Sequence, residues 1–233
     1  MSTITFPNET ADYRAAREDL LEQEKELRRK VGAVAAARAA LPPGGLVPDD
    51  YLFERAGADG TPEPVRLSEL FSPGKDSLVV YSLMFGPERA SPCAGCTSLL
   101  DPLDGATPHI VQRVNFAVVA GSPVERLRAF AREHGWPHLP LLSTAGNAYN
   151  RDYHGEMESG SNVPMCNVFR RHEDGIRHFW GAELLFAESE PGQDARSNDL
   201  IDPLWHVFDL TPDGRGTDWD PQVSYDSDAL ACA

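Results

Sequence analysis

The sequence lacks the long apolar segments and the positive charge that several classes of protein need. No run of about 18 apolar residues occurs, and the first residues, MSTITFPNETADY, contain no basic segment followed by an apolar one. We therefore expect neither a membrane helix nor a secretory signal. The net charge of −15 argues against binding to nucleic acid or to an anionic membrane surface. These absences together predict a soluble, cytoplasmic protein.

Cysteine is also scarce, because the 233 residues include only four, too few for a disulfide scaffold. The sequence has no second C-x-x-C, no G-x-G-x-x-G and no Walker motif. Two of the cysteines nevertheless stand close together, in Cys93-Ala94-Gly95-Cys96. In a reducing compartment such a pair is more often catalytic or metal-binding than structural.

An unbroken apolar run, residues 78–85 (LVVYSLMF), comes shortly before the cysteine pair. Such a run is typical of a strand buried on both faces in a parallel sheet, and Gly86-Pro87 ends it. Residues 97–100 can continue a helix after the cysteines. Residues three apart share a helix face, and the free amides at a helix start favour a thiolate. The pattern predicts a redox-active dithiol in which Cys93 attacks and Cys96 resolves.

Proline and glycine divide the chain into parts. Residues 9–40 predict one charged helix with a thin apolar stripe, which ends at Leu41-Pro42-Pro43-Gly44-Gly45. We expect a helical arm and linker over residues 1–45, an α/β domain over 46–215, and an acidic, loose tail over 216–233. The thin stripe is suited to lying across the domain or against a partner subunit, so a homodimer through this helix is one expectation.

Strand and helix signals alternate through the rest of the chain. The predicted strands are residues 51–55, 64–71, 78–85, 115–120, 139–142, 165–171 and 176–185. Helices are predicted after Cys96, with a break at Pro102, Asp104 and Gly105, and then from Thr107, Ser122 and Asp202. The last two strands join through Asp174-Gly175, a strong hairpin signal. This order predicts an α/β fold with a mixed sheet whose last pair is antiparallel.

This order, with a C-x-x-C after a central strand, resembles the thioredoxin fold. In thioredoxins a cis-proline precedes the final hairpin and lies against the cysteine pair. Val163-Pro164 occupies that place, so the resemblance implies a cis bond at Pro164 and a substrate groove lined by Val163 and Pro164. The backbone of Val163 would pair with an extended substrate segment. No Trp precedes Cys93, however, and the loop before it is longer than in thioredoxin.

A closer resemblance covers nearly the whole chain, and it is to a bacterial thioredoxin-like family catalogued as domain of unknown function 899 (DUF899). Besides the cysteine pair, the shared motifs are E-K-E (24–26), M-F-G-P (84–87), L-D-G (103–105), G-W (135–136) and F-D-L-T-P-x-G-R (208–215). The resemblance implies a three-layer thioredoxin-like α/β fold with an added N-terminal helix, acting as a dithiol-disulfide oxidoreductase. Its partners would be a disulfide-containing protein or small molecule and a thiol reductant, with no cofactor besides the cysteine pair.

Two other functions stay open. The first is a peroxiredoxin-like thiol peroxidase, because the paired strands before the core strand and the long loop before Cys93 are similar to those of peroxiredoxins. The peroxiredoxin pattern P-x-x-x-T/S-x-x-C is absent, however, since Pro87 is four residues before Ser91 and six before Cys93. The second is a non-catalytic binding protein that keeps the scaffold.

Zinc is the alternative to redox chemistry at the cysteine pair. Structural zinc needs four ligands, and His109, His154 or Cys166 would have to complete the set. His172 and His178 do not qualify, because a two-residue turn at Asp174-Gly175 would place them on opposite faces of the hairpin. We therefore expect no metal. Cys166 is predicted to be a buried, inert thiol and Cys232 an incidental one.

Overall fold

The computed structural model describes residues 4–194, 196 and 201–225. The chain divides into two compact units, Met1–Pro43 and Gly44–Ala233. The helix described in the first unit is α1 (Ala11–Ala39), where the Thr10 side chain caps the start by accepting the amide of Tyr13 at 3.2 Å. No residue of α1 is buried, and the predicted apolar stripe is exposed: Leu20, Leu27, Val31 and Val34. No helix in the described ranges combines the length and apolarity that crossing a bilayer requires.

A mixed β-sheet forms the centre of the second unit. Its strands are β1 (Leu52–Ala56), β2 (Pro62–Arg66), β3 (Ser77–Ser82), β4 (Asn115–Ala120), β5 (Leu141–Ser143), β6 (Met165–His172) and β7 (Gly175–Gly181). The described strands are seven, in the order β2-β1-β5-β4-β3-β6-β7. β3, β4 and β5 are parallel, and β1, β2, β6 and β7 join their neighbours in antiparallel fashion. The helices are α2 (Ala94–Ile110), α3 (Val124–His134), α4 (Tyr149–Asp152) and α5 (Pro203–Phe208).

Both faces of the central strands are covered, as the apolar runs predict. On β3, Leu78 and Val80 belong to one buried cluster, whereas Tyr81 belongs to the other. Leu100 of α2 and Leu127 of α3 cover the Tyr81 face, and the opposite cluster includes Tyr149 and Leu67. Burying one such side chain fully stabilises the fold by about 1.5–3 kcal/mol. The three-layer thioredoxin-like α/β architecture is therefore confirmed.

Helix α2 is longer than the sequence predicts. The predicted break at Pro102, Asp104 and Gly105 is wrong, because the helix runs through all three residues. Asp104 is 6% exposed, and its Oδ1 accepts the backbone amides of His138 at 2.8 Å and Leu139 at 3.0 Å. Packing against the sheet and these two bonds outweigh the weak helix propensity of proline and glycine.

Removing the Asp104 carboxylate should destabilise the second unit. Asp104→Ala leaves two amides without their acceptor, so we expect the free energy of unfolding to fall by about 2–4 kcal/mol. Urea unfolding followed by circular dichroism measures this change. Asp104→Asn is the matched control, because its amide oxygen can still accept both bonds and the loss should be less than half as large. Equal losses in the two variants would contradict this role.

The β6–β7 hairpin has a different register from the predicted one. The two turn residues are Glu173 and Asp174, and His172 lies opposite Gly175. Gly175 adopts a φ of 131°, a left-handed conformation that glycine tolerates, so it follows the turn instead of lying within it. His178 now lies opposite Phe169, three residues from His172, so the two histidines still occupy opposite faces.

Three predicted strands end earlier than expected. Residues Leu67–Leu70 form a 3-10 turn instead of continuing β2, because the Glu69 carboxylate accepts the amide of Arg66 at 2.7 Å. β7 stops at Gly181, and Glu183–Phe186 form a second 3-10 turn. β3 stops at Ser82, so residues 83–85 begin the loop that leads to the cysteines.

Candidate active site

The cysteine pair lies where the loop after β3 meets the start of α2. Cys93 is the N-cap residue of α2, and Cys96 lies in its first turn. The Cys93 amide donates to the carbonyl oxygen of Met84 at 3.1 Å. Its carbonyl oxygen accepts the amide of Thr97 at 2.9 Å and the Thr97 hydroxyl at 3.0 Å. The backbone of Cys93 is thus fixed on both sides while its side chain stays accessible.

The two sulfurs differ in exposure and are hydrogen bonded to each other. Both residues are thiols in this structure; Cys93 is partly buried, whereas Cys96 is 3% exposed. The Cys96 thiol donates to the Cys93 sulfur. The Cys93 sulfur can therefore contact a ligand, while the Cys96 sulfur is shielded from solvent.

The environment of Cys93 favours its thiolate. The hydrogen bond from Cys96 lowers the pKa of Cys93 to about 5, from an ordinary value of 9.0. The backbone amides of Cys96 and Gly95 at the helix start and the positive charge of Arg89 act in the same direction, while partial burial opposes them. At neutral pH Cys93 is therefore ionised, which is the reactive form of a cysteine.

Cys96 remains protonated. Its hydrogen bond to Cys93, together with burial, raises the pKa of Cys96 well above its ordinary value. The Tyr81 hydroxyl also bonds to the Cys96 sulfur, and burial raises the pKa of Tyr81 far above 10.0. A buried, protonated thiol directly behind a thiolate is the arrangement that an attacking and a resolving cysteine require.

Arg126 of α3 holds the loop that precedes the cysteines. Its guanidinium donates to the carbonyl oxygens of Gly86 at 3.3 Å and Ala90 at 3.1 Å, and also to that of Arg89. The same group lies 4.4 Å from the centre of the Phe85 ring. Sequence reasoning missed Arg126, because nothing near it in the sequence indicates a contact with a loop that ends some 35 residues earlier. It is a positioning residue for the segment that delivers Cys93.

The segment before β6 departs from the predicted thioredoxin geometry. Pro164 lines the same cavity as Cys93 and Cys96. No cis peptide bond occurs within the described ranges, so the predicted cis bond at Val163-Pro164 is wrong, and the bond is trans. The Val163 amide donates to the carbonyl oxygen of Gly155 at 3.1 Å, which ties this segment to the preceding turn. That amide is therefore already bonded within the chain, and the pairing of the Val163 backbone with a substrate stays a prediction.

A cavity of about 390 Å³ opens over the cysteine pair. The helix start, the sheet and the C-terminal part of the unit each contribute to its lining. That last part, which is named the C-terminal wall from here on, contributes Leu185, Arg196, Ile201, Asp202, Trp205, Asp220 and Pro221. The predicted cap of α5 is present, since Asp202 Oδ1 accepts the Leu204 amide at 3.0 Å. The position of α5 beside the cysteines could not be predicted from the sequence, because α5 and the cysteine pair are far apart along the chain.

The remaining cysteines and the possible zinc ligands are placed as follows. Cys166 lies opposite Tyr81 on β6, lines the cavity and is 5% exposed, so it is buried as predicted. Cys232 lies outside the described residues. His109 and His154 do not line the cavity, and the described part of the chain contains no group of three or more His, Cys, Asp or Glu placed to hold a metal ion.

The sheet topology, with a cysteine pair at the start of the helix after the central strand, defines a thioredoxin-like protein. Residues 3–228 match the family described as bacterial protein of unknown function, DUF899. The match covers nearly the whole chain, and the protein belongs to this family. Comparison with curated proteins gives no match.

Solved structures similar to this chain include peroxiredoxins and a thioredoxin. A peroxiredoxin-like protein from Aquifex aeolicus is 13% identical, with 60% of this chain and 75% of that chain covered and a TM-score of 0.42. The mitochondrial 2-Cys peroxiredoxin from Plasmodium falciparum is 10% identical, with coverage of 73% and 93% and a TM-score of 0.46. The exposed lipoprotein thioredoxin from Streptococcus pneumoniae is 15% identical, with coverage of 61% and 90% and a TM-score of 0.38. Similarity at this level concerns the fold and not the activity.

Proposed function

We propose that this protein is a thiol-disulfide oxidoreductase that uses Cys93 and Cys96. The observation that carries the proposal is the placement of a partly buried Cys93 at the start of α2 with a buried Cys96 in the first turn of that helix, both lining one cavity. The pKa of Cys93 is lowered to about 5 by its hydrogen bond with Cys96, and the pKa of Cys96 is raised. A structural thiol pair gains nothing from such opposite shifts. Thiol-disulfide exchange needs both of them, because the thiolate attacks first and the protonated thiol acts second.

The reaction proceeds in two exchanges. The Cys93 thiolate attacks one sulfur of a disulfide, RS–SR′, forms a Cys93–SR mixed disulfide and releases R′S⁻. Cys96 then attacks the Cys93 sulfur, so that RS⁻ leaves and a Cys93–Cys96 disulfide remains. The proton of Cys96 passes to a departing thiolate. The substrate gains two electrons, the cysteine pair loses two, and a separate thiol reductant restores the pair.

The lowered pKa of Cys93 also makes the pair a weaker reductant than thioredoxin and one that accepts electrons more readily from its own thiol reductant. A stabilised thiolate favours the reduced form of the pair and so raises its reduction potential. We therefore expect a potential above the value of about −270 mV that is typical of thioredoxin. The cytoplasm fits this function, because a dithiol is kept reduced there.

A redox titration of the native chain tests the proposal. The protein is equilibrated in thiol buffers of defined potential, free thiols are alkylated, and the products are mapped by mass spectrometry. We expect one reversible disulfide, between Cys93 and Cys96, with a midpoint above about −270 mV. Thiols that stay unpaired across the range, or zinc in the native mass spectrum, would refute the proposal. Peroxide consumption that is faster than disulfide reduction would replace it with a thiol peroxidase.

A further inference from the structure

The C-terminal wall places apolar surface directly beside the cysteine pair. Trp205 of α5 is 4% exposed and lines the cavity together with Leu185, Ile201 and Pro221. Cys93 and Ala94, at the start of α2, line the same cavity. A molecule whose sulfur reaches Cys93 through this cavity can therefore place one of its arms against this apolar surface.

The C-terminal wall is fixed by contacts within itself. The Arg196 guanidinium lies 4.9 Å from the centre of the Trp205 ring and donates to the carbonyl oxygen of Trp219 at 2.8 Å. The Trp219 ring in turn makes an edge contact with Trp205, 6.1 Å between centres. Arg215 donates to the carbonyl oxygen of Arg196 at 2.7 Å. These contacts join Arg196, Trp205, Arg215 and Trp219 to one another, so the described residues of the wall beside the cavity pack against each other.

The charges around the cavity disfavour an anion. Asp202 and Asp220 both line it, and burial raises the pKa of Asp202. Arg196 is the positively charged lining residue, and its guanidinium is paired with the Asp194 carboxylate at 2.6 Å. A negatively charged ligand would meet carboxyl groups and a cation that is already neutralised. An uncharged apolar ligand would lose little hydration free energy on entering the cavity.

One backbone group that an extended protein substrate would use beside the cysteine pair is already bonded. Strand addition needs open backbone groups, yet the Val163 amide is bonded to Gly155. The C-terminal wall lines the same cavity as Cys93. The volume of about 390 Å³ falls within the range of about 300–1,000 Å³ that is typical of small-molecule sites.

We propose that the disulfide reduced by this protein is a small, apolar molecule without negative charge, which binds with one arm against Trp205. This inference rests on the proposed oxidoreductase function and specifies its substrate. Cys93 attacks the nearer sulfur, the arm held by the wall remains in the mixed disulfide, and the other arm leaves as a thiolate. Cys96 then releases the bound arm, and a dithiol reductant such as dithiothreitol restores the pair.

The test compares probes that differ in charge and size. The reduced, intact chain is mixed with neutral dithiodipyridine, with the dianionic dithiobis-nitrobenzoate, and with insulin. For each probe, the rate constant of the protein is divided by the rate constant of dithiothreitol with that probe. This normalised value cancels the intrinsic reactivity of the disulfide. We expect the normalised value for dithiodipyridine to exceed that for the anion by at least about tenfold, the effect of about 1.4 kcal/mol. Insulin should be reduced no faster than by dithiothreitol.

Two variants test which lining residues cause the preference for the neutral probe over the anionic one. Trp205→Ala should lower the normalised rate with dithiodipyridine by about tenfold, because the arm loses its apolar contact. Asp220→Lys, at an exposed lining position, should raise the rate with the anionic probe severalfold, even if Trp205→Ala fails to fold. Leu210→Ala is the matched control, since Leu210 is 84% exposed and does not line the cavity.

The possible failures separate the two proposals. Equal normalised rates for the neutral and anionic probes, no effect of Asp220→Lys, or rapid reduction of insulin would each overturn the substrate inference. The oxidoreductase function would stand in those cases, provided that mass spectrometry shows the Cys93–Cys96 disulfide. If none of the probes oxidises the cysteine pair, both proposals fail.

Discussion

A Cys93→Ser chain is expected to lose disulfide exchange by at least about 1,000-fold, as enzymes do when the nucleophile is removed. The serine hydroxyl stays protonated at neutral pH and cannot attack a disulfide, whereas the Cys93 thiol is ionised there. Cys96→Ser should behave differently, because the first exchange needs only Cys93. That variant should stop at a mixed disulfide and release one equivalent of pyridinethione from dithiodipyridine, where the native chain releases two. Absorbance and intact-protein mass measure both outcomes.

The control for these substitutions is Ser91→Ala, an exposed change in the same loop that should leave exchange unaffected. Cys166 supplies the opposing hypothesis, because it also lines the cavity. Exchange that survives in Cys93→Ser and disappears in Cys166→Ala would assign the attack to Cys166. In that case the opposite pKa shifts of Cys93 and Cys96 would have no role in the exchange reaction.

The parts of the fold that could be predicted are those that local burial determines. The bounds of β4, Asn115–Ala120, match the predicted strand, because its last five residues are apolar, as a strand covered on both faces requires. Gly135 ends α3 with a φ of 87°, as expected for a glycine that follows a helix. The placement of Cys93 at a helix start follows from the same kind of signal, a strand, a breaker and a helix in sequence.

What could not be predicted depends on residues that are distant along the chain. α2 continues through Pro102 and Gly105 because Asp104 is bonded to a loop more than 30 residues later. The hairpin register depends on where Gly175 takes up its positive φ, and the dipeptide Asp174-Gly175 fits either position. The C-terminal wall brings Trp205 to the cysteines by tertiary packing alone. Local patterns carry no information about such contacts.

Titration of the Cys93 thiol should show a midpoint near pH 5 in the native chain. Above this pH the thiolate persists, and it is lost as the pH falls through the midpoint. Cys96→Ala removes the largest cause of the lowered pKa, so we expect its midpoint to rise by at least about 2 pH units. It should stay below the ordinary value, because the helix-start amides and Arg89 remain. Thiolate absorbance measured against pH, with Cys93→Ser as the blank, gives both midpoints.

The midpoint is a better measure of this hydrogen bond than the rate of alkylation at pH 7. A shift from 9 to about 5 increases the thiolate fraction at pH 7 about a hundredfold, but the less basic thiolate is also a weaker nucleophile by a comparable factor. The two effects largely cancel in the rate, whereas the change in midpoint between the native chain and the Cys96 variants reports the loss of the hydrogen bond directly. Cys96→Ser is the matched control, because its hydroxyl can still donate to Cys93 and should restore part of the lowering. A midpoint that is equally high in the Ala and Ser variants would show that the lowered pKa does not come from a hydrogen bond, and an unchanged midpoint in both would assign it to the helix start and Arg89.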